Sequence, residues 1–144
     1  MKKWMKIALS GILILIALIK LVNYFNPPNG KTYEVDKNHH VYYKGDGVTE
    51  SDAKKTGEYF KQVGLFTADN SMDVQIKAEK ITDNVILSFV VDKDKITSEL
   101  ENSALSISSP VSNQIFNGRK VSIALADEDL DEIKNLGFAP TQNQ

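Results

Sequence analysis

The sequence predicts an α+β protein in which a single N-terminal transmembrane helix precedes a ferredoxin-like β-α-β-β-α-β domain with a short C-terminal helix. The first observation is a run of thirteen uncharged residues at 7–19, IALSGILILIALI. The second is that the chain after it switches between the two-residue period of strands and the 3.6-residue period of helices. The order of these segments is that of the split βαβ arrangement, with two helices on one face of a four-stranded antiparallel sheet.

The residues on either side of the apolar run extend it to the thickness of a membrane. A spanning helix needs about 20 mostly apolar residues. Trp4 and Tyr24 both suit the membrane–water interface and lie 20 residues apart, which is about 30 Å along a helix. Lys20 can place its ammonium among the headgroups while its aliphatic stem lies along lipid. We therefore predict a transmembrane signal-anchor at residues 7–25, with Trp4, Lys20 and Tyr24 at the membrane interface.

The basic start of the chain predicts its orientation. Lys2, Lys3 and Lys6 make residues 1–6 a cytoplasmic segment by the positive-inside rule, so the rest of the chain is expected outside the cytoplasmic membrane. A cleaved secretory signal would have the same charged start and apolar run. Residues 19–23 contain no small-x-small cleavage site, which favours an uncleaved, single-pass anchor.

Composition bounds the part of the chain that follows the anchor. About 114 residues remain, which is enough for one domain. Four of the 17 basic residues lie in the first 25 positions, which leaves 13 basic against 19 acidic residues and a net charge of −6. That sign argues against nucleic acid as a partner. The absence of cysteine excludes disulfides, thiolate metal sites and a cysteine nucleophile.

Turn-forming residues set the predicted boundaries of the extracytoplasmic part. A linker is predicted at residues 26–31, the domain at 32–138 and a tail at 139–144. Two strand-like pieces, 33–35 and 41–43, lie on either side of a polar turn and can form a small hairpin.

A helix is predicted directly after this hairpin. Thr49 is typical of a helix N-cap, and acidic residues follow it in the first turn, where the helix dipole favours them. The helix is expected to end near Val63, because Gly64 suits the position after a helix C-terminus.

The clearest strand pattern follows in the middle of the chain. Residues 72–79 alternate strictly between apolar and polar side chains, which predicts a strand with one buried face. Residues 85–91 form a nearly continuous apolar run, which is typical of a central strand. The polar turn at 82–84 joins the two segments, so we predict an antiparallel hairpin.

The last third of the sequence predicts a helix, a strand and a second helix. Apolar residues at helical spacing predict a helix from about 94 to 117, kinked or broken at Pro110, with Ser109 capping the second piece. Residues 121–125 alternate as a strand. The segment 127–136 starts with acidic residues and has apolar residues at helical spacing, which predicts a terminal helix.

No residue pattern indicates a catalytic residue, a cofactor site or a metal site. His39 and His40 are adjacent in a predicted strand, so they point to opposite faces and cannot readily share a metal. The acidic run at 127–132 lacks the glycine and the ligand spacing of a calcium loop and is more simply a charged helix start. The alternative that we retain is an extracytoplasmic hydrolase that uses this acidic run.

Turn, cap and core residues carry a resemblance over about residues 40–66. The segments VYYKGDGVT at 41–49, AKKTG at 53–57 and GLF at 64–66 resemble a membrane-anchored bacterial ectodomain family of unassigned function. A weaker similarity is present at 115–118. This resemblance implies a membrane-tethered bacterial protein and carries over no catalytic residue.

These patterns favour a non-enzymatic interaction or assembly module that is tethered to the membrane through residues 7–25 and binds a protein partner or a second copy of itself. Strand alternation places Tyr42, Ile86, Val90 and Ala124 together on the sheet face opposite the two helices. Residues 73, 75, 77 and 79 are expected to form a polar rim, so the face is predicted to be the partner surface. The alternative is that the terminal helix covers this face.

Overall fold

The computed structural model describes residues 16–18, 29–79 and 81–139, and it places the second and third of these ranges in an α+β domain. Six strands form one sheet in which their order is the chain order. They are β1 (Lys31–Asp36), β2 (His39–Lys44), β3 (Met72–Ala78), β4 (Val85–Val90), β5 (Val121–Ala126) and β6 (Glu132–Gly137). The helices are α1 (Glu50–Gln62), α2 (Ser98–Leu105) and α3 (Ser108–Gln114), with a 3₁₀ turn at Lys93–Lys95.

The sheet is mixed and has two distinct faces. β2 pairs with β3 and β4 with β5 in parallel, and the other neighbours are antiparallel. We call the side on which the helices pack face A and the other side face B. On face A, Phe60 of α1 stacks on Phe89 of β4, and Glu101 of α2 pairs with Lys134 of β6.

The two helical connections have opposite hands. Both cross face A and move the chain the same way across the sheet, but β2 and β4 run in opposite directions. One of the two crossovers therefore departs from the right-handed rule for parallel strands.

Local sequence signals explain α1. Thr49 is its N-cap, as the sequence predicts, and the structure adds a capping box that joins Thr49 to Asp52. Gly57 lets the helix approach β1, because a Cβ there would lie 2.5 Å from Cγ2 of Val35. Phe60 is fully buried at the same helical face. The helix is thus held against the first two strands of the sheet.

The core lies between face A and the helices. Phe60, Ile76, Leu87 and Phe89 are buried in one cluster, and Leu100 packs against it. The predicted antiparallel hairpin of β3 and β4 is also confirmed.

The prediction of a ferredoxin-like domain is wrong. That arrangement separates the two strands joined by a helix, whereas here each helical connection joins strands that are direct neighbours. The sheet also has six strands, because the β1–β2 hairpin and β6 both join it. The sequence period identifies strands but does not determine which strands pair.

The predicted terminal helix is also wrong, because residues 127–136 form a turn followed by β6. The Asp127 carboxylate accepts hydrogen bonds from the backbone N–H groups of Asp129 and Asp131 at 3.0 Å each. Leu130 has a left-handed φ of 65°. Such local side-chain bonds compete with a helix, and β5 offers β6 a ladder of backbone partners instead.

The predicted long helix over 94–117 is divided into the 3₁₀ turn, α2 and α3. The break lies at Ile107, which is the N-cap of α3 without a side-chain cap bond. The prediction that Ser109 caps the second piece is therefore wrong. Pro110 lies in the first turn of α3, where its missing N–H leaves no helical bond unmade.

The predicted transmembrane signal-anchor is not supported. Among residues 16–18, 29–79 and 81–139, no helix has the length and apolar character that crossing a membrane requires. Of the predicted span 7–25, the structure describes one helical turn at 16–18, and the remainder lies outside the described residues.

Candidate functional site

Face B is built by one row of side chains that crosses the sheet. The strand register aligns Tyr42 of β2, Gln75 of β3, Ser88 of β4, Ala124 of β5 and Asn135 of β6. Each is on face B because its neighbours in the strand point into the core on face A. Small side chains therefore occupy the middle of the face, between larger ones on the outer strands.

The middle of face B is almost inaccessible to water. Gln75 and Ser88 are each 7% exposed, and Ala124 and Ala126 are 0% exposed. The helices α1, α2 and α3 all pack on face A, so within 29–79 and 81–139 no helix covers face B. Ile86 and Val90 are half-buried beside this centre. The middle of face B therefore combines the buried polar side chains of Gln75 and Ser88 with the small apolar side chains of Ala124 and Ala126.

A histidine–aspartate pair lies at the β2 side of face B. Nδ1 of His40 is 2.9 Å from Oδ1 of Asp73 on the neighbouring strand, and the two side chains are 31% and 38% exposed. Burial, and secondarily the charge of Asp73, raises the pKa of the Tyr42 phenol. Tyr42 therefore presents a neutral hydroxyl to anything that binds here.

The chain enters the domain across this face. Nε2 of Gln75 donates a hydrogen bond of 3.0 Å to the backbone carbonyl of Asn29. Gly30, with φ of 84°, turns the backbone there, and a Cβ at Gly30 would clash with the carbonyl of Tyr43. Because Gln75 is two strands away from β1, the residue before Gly30 must lie over β2 on face B.

The structure places the four predicted partner-surface residues on one face. Tyr42, Ile86 and Val90 are half-buried there, and Ala124 is fully buried. Gln75, which the sequence assigned to the rim, lies in the middle because β3 has a partner strand on each side. The predicted membrane-interface residues Trp4, Lys20 and Tyr24 lie outside the described residues.

Three participants on face B were missed from sequence, and one of them is Asn135, whose segment was predicted as a helix. Ala126 continues the alternation that begins at Ser122 and Ala124, so the period itself could have identified it. Asn29 takes part through its backbone carbonyl, for which no sequence signal exists.

The other histidine is part of a buried polar cluster on face A. His39 is 1% exposed and stacks on Phe66, with ring centroids 4.5 Å apart. Its Nδ1 lies 2.8 and 2.9 Å from the two carboxylate oxygens of Asp36, and its Nε2 lies 2.6 Å from Oδ1 of Asn70. As strand alternation predicts, His39 and His40 are on opposite faces.

Both ring nitrogens of His39 face hydrogen-bond acceptors. The Asn70 atom is fixed as the oxygen, because its amide nitrogen donates to the carbonyl of Leu65 and its oxygen accepts from the N–H of Thr67. Since the Asp36 carboxylate also accepts, each ring nitrogen of His39 has an acceptor within hydrogen-bond distance. Every ring nitrogen is thereby used, which gives His39 a structural role.

Asp36 makes the stability of the domain depend on acid pH. A hydrogen bond from the backbone N–H of Asn38 is the main reason that the pKa of Asp36 lies below 3.8; burial acts in the opposite direction, and His39 and Lys61 lower the pKa further. Its contribution to stability is therefore fully present above pH 3.8 and is lost as pH falls toward the lowered pKa.

We expect Asp36→Asn to flatten the fall of the unfolding midpoint over this acid range, measured by thermal circular dichroism. An equal fall in both proteins would contradict the assignment.

The remaining polar clusters do not form a catalytic constellation. The Asp127 carboxylate holds its own turn, as described above, and Ser108 and Ser112 donate to the backbone carbonyls of Val121 and Arg119. Over the ranges 16–18, 29–79 and 81–139, no group of three or more histidine or acidic side chains is arranged to hold a metal ion.

Residues 32–137 match the model of a protein family named AF_1994_N, which is described as a family N-terminal domain. That range begins within β1 and ends with β6, so it includes the whole sheet and all three helices. No curated protein and no solved structure matches the chain.

Proposed function

We propose that this chain, which belongs to the AF_1994_N family, is a non-enzymatic interaction module that binds its protein partner through face B. The observation that carries the proposal is that no described helix covers this sheet face, although it presents the apolar side chains of Ile86, Val90 and Ala124. A two-layer domain normally leaves such a face polar, because antiparallel sheets alternate apolar-in and polar-out.

The distribution of polar groups supports a contact surface. Ile86, Val90 and Ala124 lie together, while the His40–Asp73 pair and the exposed Lys77 lie toward the edges. Protein interfaces commonly have an apolar centre that excludes water and a rim that remains wet. Face B resembles this arrangement in its apolar group and its polar edges, and it differs in having Gln75 and Ser88 at its centre.

The dimensions of the face limit the kind of partner. The row from Tyr42 to Asn135 crosses four interstrand spacings, or about 19 Å, and six-residue strands are about 20 Å long. The resulting area of about 400 Å² is half of the roughly 800 Å² that each partner contributes to a standard interface. A single helix or extended segment fits this face better than a whole globular surface.

Membrane attachment and an extracytoplasmic location stay predictions of the sequence, and the proposal does not depend on them. The partner is either another protein or a second copy of this chain. In both cases the contact is made by an apolar segment.

A photo-crosslinking amino acid at Ile86 tests the proposal in the full chain. Ile86 is on face B, and the exposed Lys55 on α1 is the matched position away from it. We expect a defined protein adduct from position 86 and none from position 55. Val90→Asp is expected to remove that adduct, because a carboxylate in the apolar centre would be desolvated without a partner.

The domain carrying Val90→Asp is expected to stay folded, because Val90 is on the half-buried face and outside the core cluster. Circular dichroism measures this directly. Clear unfolding, or indistinguishable adducts from positions 86 and 55, would contradict the proposal.

A further inference from the structure

We infer that the partner segment on face B is an amphipathic helix with one uncharged carboxamide side chain, of asparagine or glutamine, in the middle of its apolar side. The inference rests on the proposed function, because it names the chemistry of the segment that this surface accepts. It is carried by the hydroxyl group of Ser88, which lies in the central row of face B.

The Ser88 hydroxyl is recessed and has no partner within the domain. Ser88 is 7% exposed, so more than nine-tenths of the residue is buried. Among the residues that the structure describes, none forms a hydrogen bond with its Oγ, whereas Ser108 and Ser112 donate to backbone carbonyls. Across the same residues, no fully enclosed side-chain oxygen lacks a partner, so the Ser88 oxygen still opens onto face B. Ser88 therefore offers a hydroxyl to whatever lies on this face.

A segment that covers face B must satisfy this hydroxyl. While the face is open, water can bond to Oγ of Ser88, but a bound segment displaces that water. An entirely apolar segment would seal the hydroxyl without a hydrogen bond, which weakens binding. A charged group is disfavoured, because it would lose its hydration beside Ile86, Val90 and Ala124. The partner therefore supplies an uncharged polar group at this point.

The neighbour of Ser88 favours a carboxamide as that group. Gln75 lies directly opposite Ser88 on β3, which places their Cβ atoms about 5 Å apart. Nε2 of Gln75 donates to the carbonyl of Asn29, and its Oε1 can only accept. A carboxamide offers an N–H donor and a carbonyl acceptor together, so one side chain can meet both Gln75 and Ser88. It also extends further than a hydroxyl into the recess where Ser88 lies.

The shape and charges of face B favour a helix that lies along the strands. Its shallow middle, between larger side chains on the outer strands, suits a rod about 10 Å wide. Asp73 and Lys77 are two residues before and after Gln75 on β3, so they lie about 7 Å to either side of the central row. On a helix, positions i−4 and i+4 lie about 6 Å to either side of position i. We therefore expect a basic residue one turn from the carboxamide toward Asp73, and an acidic residue one turn away toward Lys77.

Two synthetic helical peptides of leucine and alanine test the inference with the full chain. Both carry a lysine one turn before the central position of the leucine side and a glutamate one turn after it. The central residue is asparagine in one peptide and leucine in the other. We expect the asparagine peptide to bind at least about tenfold more tightly in fluorescence anisotropy. A surface that selects only apolar area would give the opposite order, because leucine buries more of it. Equal binding, or tighter binding of the leucine peptide, overturns the inference.

Ser88→Ala tests which group on face B recognises the carboxamide. The substitution is expected to remove the preference for the asparagine peptide and to leave the unfolding midpoint unchanged, because no hydrogen bond within the described domain is lost. Ser108→Ala is the matched control, since the Ser108 hydroxyl donates to the carbonyl of Val121. This control is expected to lower the midpoint and to keep the preference. If Ser88→Ala kept the preference, or lowered the midpoint as much as Ser108→Ala, the inference would be wrong.

The adduct from position 86 separates this inference from the proposed function. A specific adduct, combined with tighter binding of the leucine peptide, means that face B binds apolar segments without a polar requirement, so only the inference fails. A specific adduct without binding of either peptide also overturns the inference alone. Indistinguishable adducts from positions 86 and 55, without binding of either peptide, overturn both.

Discussion

Replacing Phe89 with alanine is expected to lower the free energy of unfolding by about 3 to 5 kcal/mol. The ring is 3% exposed and stacks on Phe60 of α1, with ring centroids 5.8 Å apart. Val74 and Leu125 lie beside it on the two neighbouring strands. Removing the ring leaves a cavity where the helix meets the sheet, which these stiff strands cannot close. Urea unfolding followed by circular dichroism measures the loss.

Phe138→Ala is the matched control for this substitution. Phe138 is 43% exposed and lies under the ammonium of Lys120, 3.9 Å from the ring centroid. Its removal takes away a contact worth about 0.5 to 1 kcal/mol and leaves no cavity. Similar losses from the two substitutions would show that Phe89 is not part of the core on which the fold depends.

Strand alternation in the sequence correctly predicted the two faces of the sheet. The alternation at 72–79 and the continuous run at 85–91 identify β3 and β4, and they place Ile76, Leu87 and Phe89 in the core. The order of the strands did not follow from the same pattern. Which strands pair depends on which strand edges meet after the helices pack. The two-residue period of a strand is the same whichever strand lies beside it, so it does not identify the partner.

The terminal segment shows why a helical spacing can mislead. Leu130, Ile133 and Leu136 repeat every three residues, which suits one face of a helix. The pairing of β6 with β5 has two register shifts. At each shift the regular alternation of side chains between the two faces of the sheet is interrupted, so a strand can accommodate this spacing. The Asp127 carboxylate, bonded to the backbone N–H groups of Asp129 and Asp131, holds a turn at this point, and β6 follows it.

The candidate site could be predicted from sequence only as far as its side chains. Tyr42, Ile86, Val90 and Ala124 share a face by alternation alone. The role of Asn29 could not be predicted, because it depends on a backbone carbonyl that reaches Gln75 only after Gly30 turns the chain. Long-range backbone contacts leave no residue-type pattern.

The polar cluster around His39 gives the second large expected effect. His39→Ala is expected to lower the free energy of unfolding by about 3 kcal/mol, because it removes a buried ring and leaves its polar partners without their hydrogen bonds. The ring stacks on Phe66 and links Asp36 at the end of β1 to Asn70 before β3. The cluster therefore joins two segments that are 34 residues apart in the chain.

His40→Ala is the control for this prediction, since it removes the same side chain from the next residue. The His40 side chain is 31% exposed, and its Nδ1 lies 2.9 Å from Oδ1 of Asp73. Exposed pairs of this kind contribute up to about 1 kcal/mol.

His39→Leu separates packing from polarity, because it retains most of the buried volume and removes the hydrogen bonds. If His39→Leu were as stable as the original chain in thermal unfolding, packing on Phe66 would account for the whole effect, and the polar cluster would have no part in holding the two segments together.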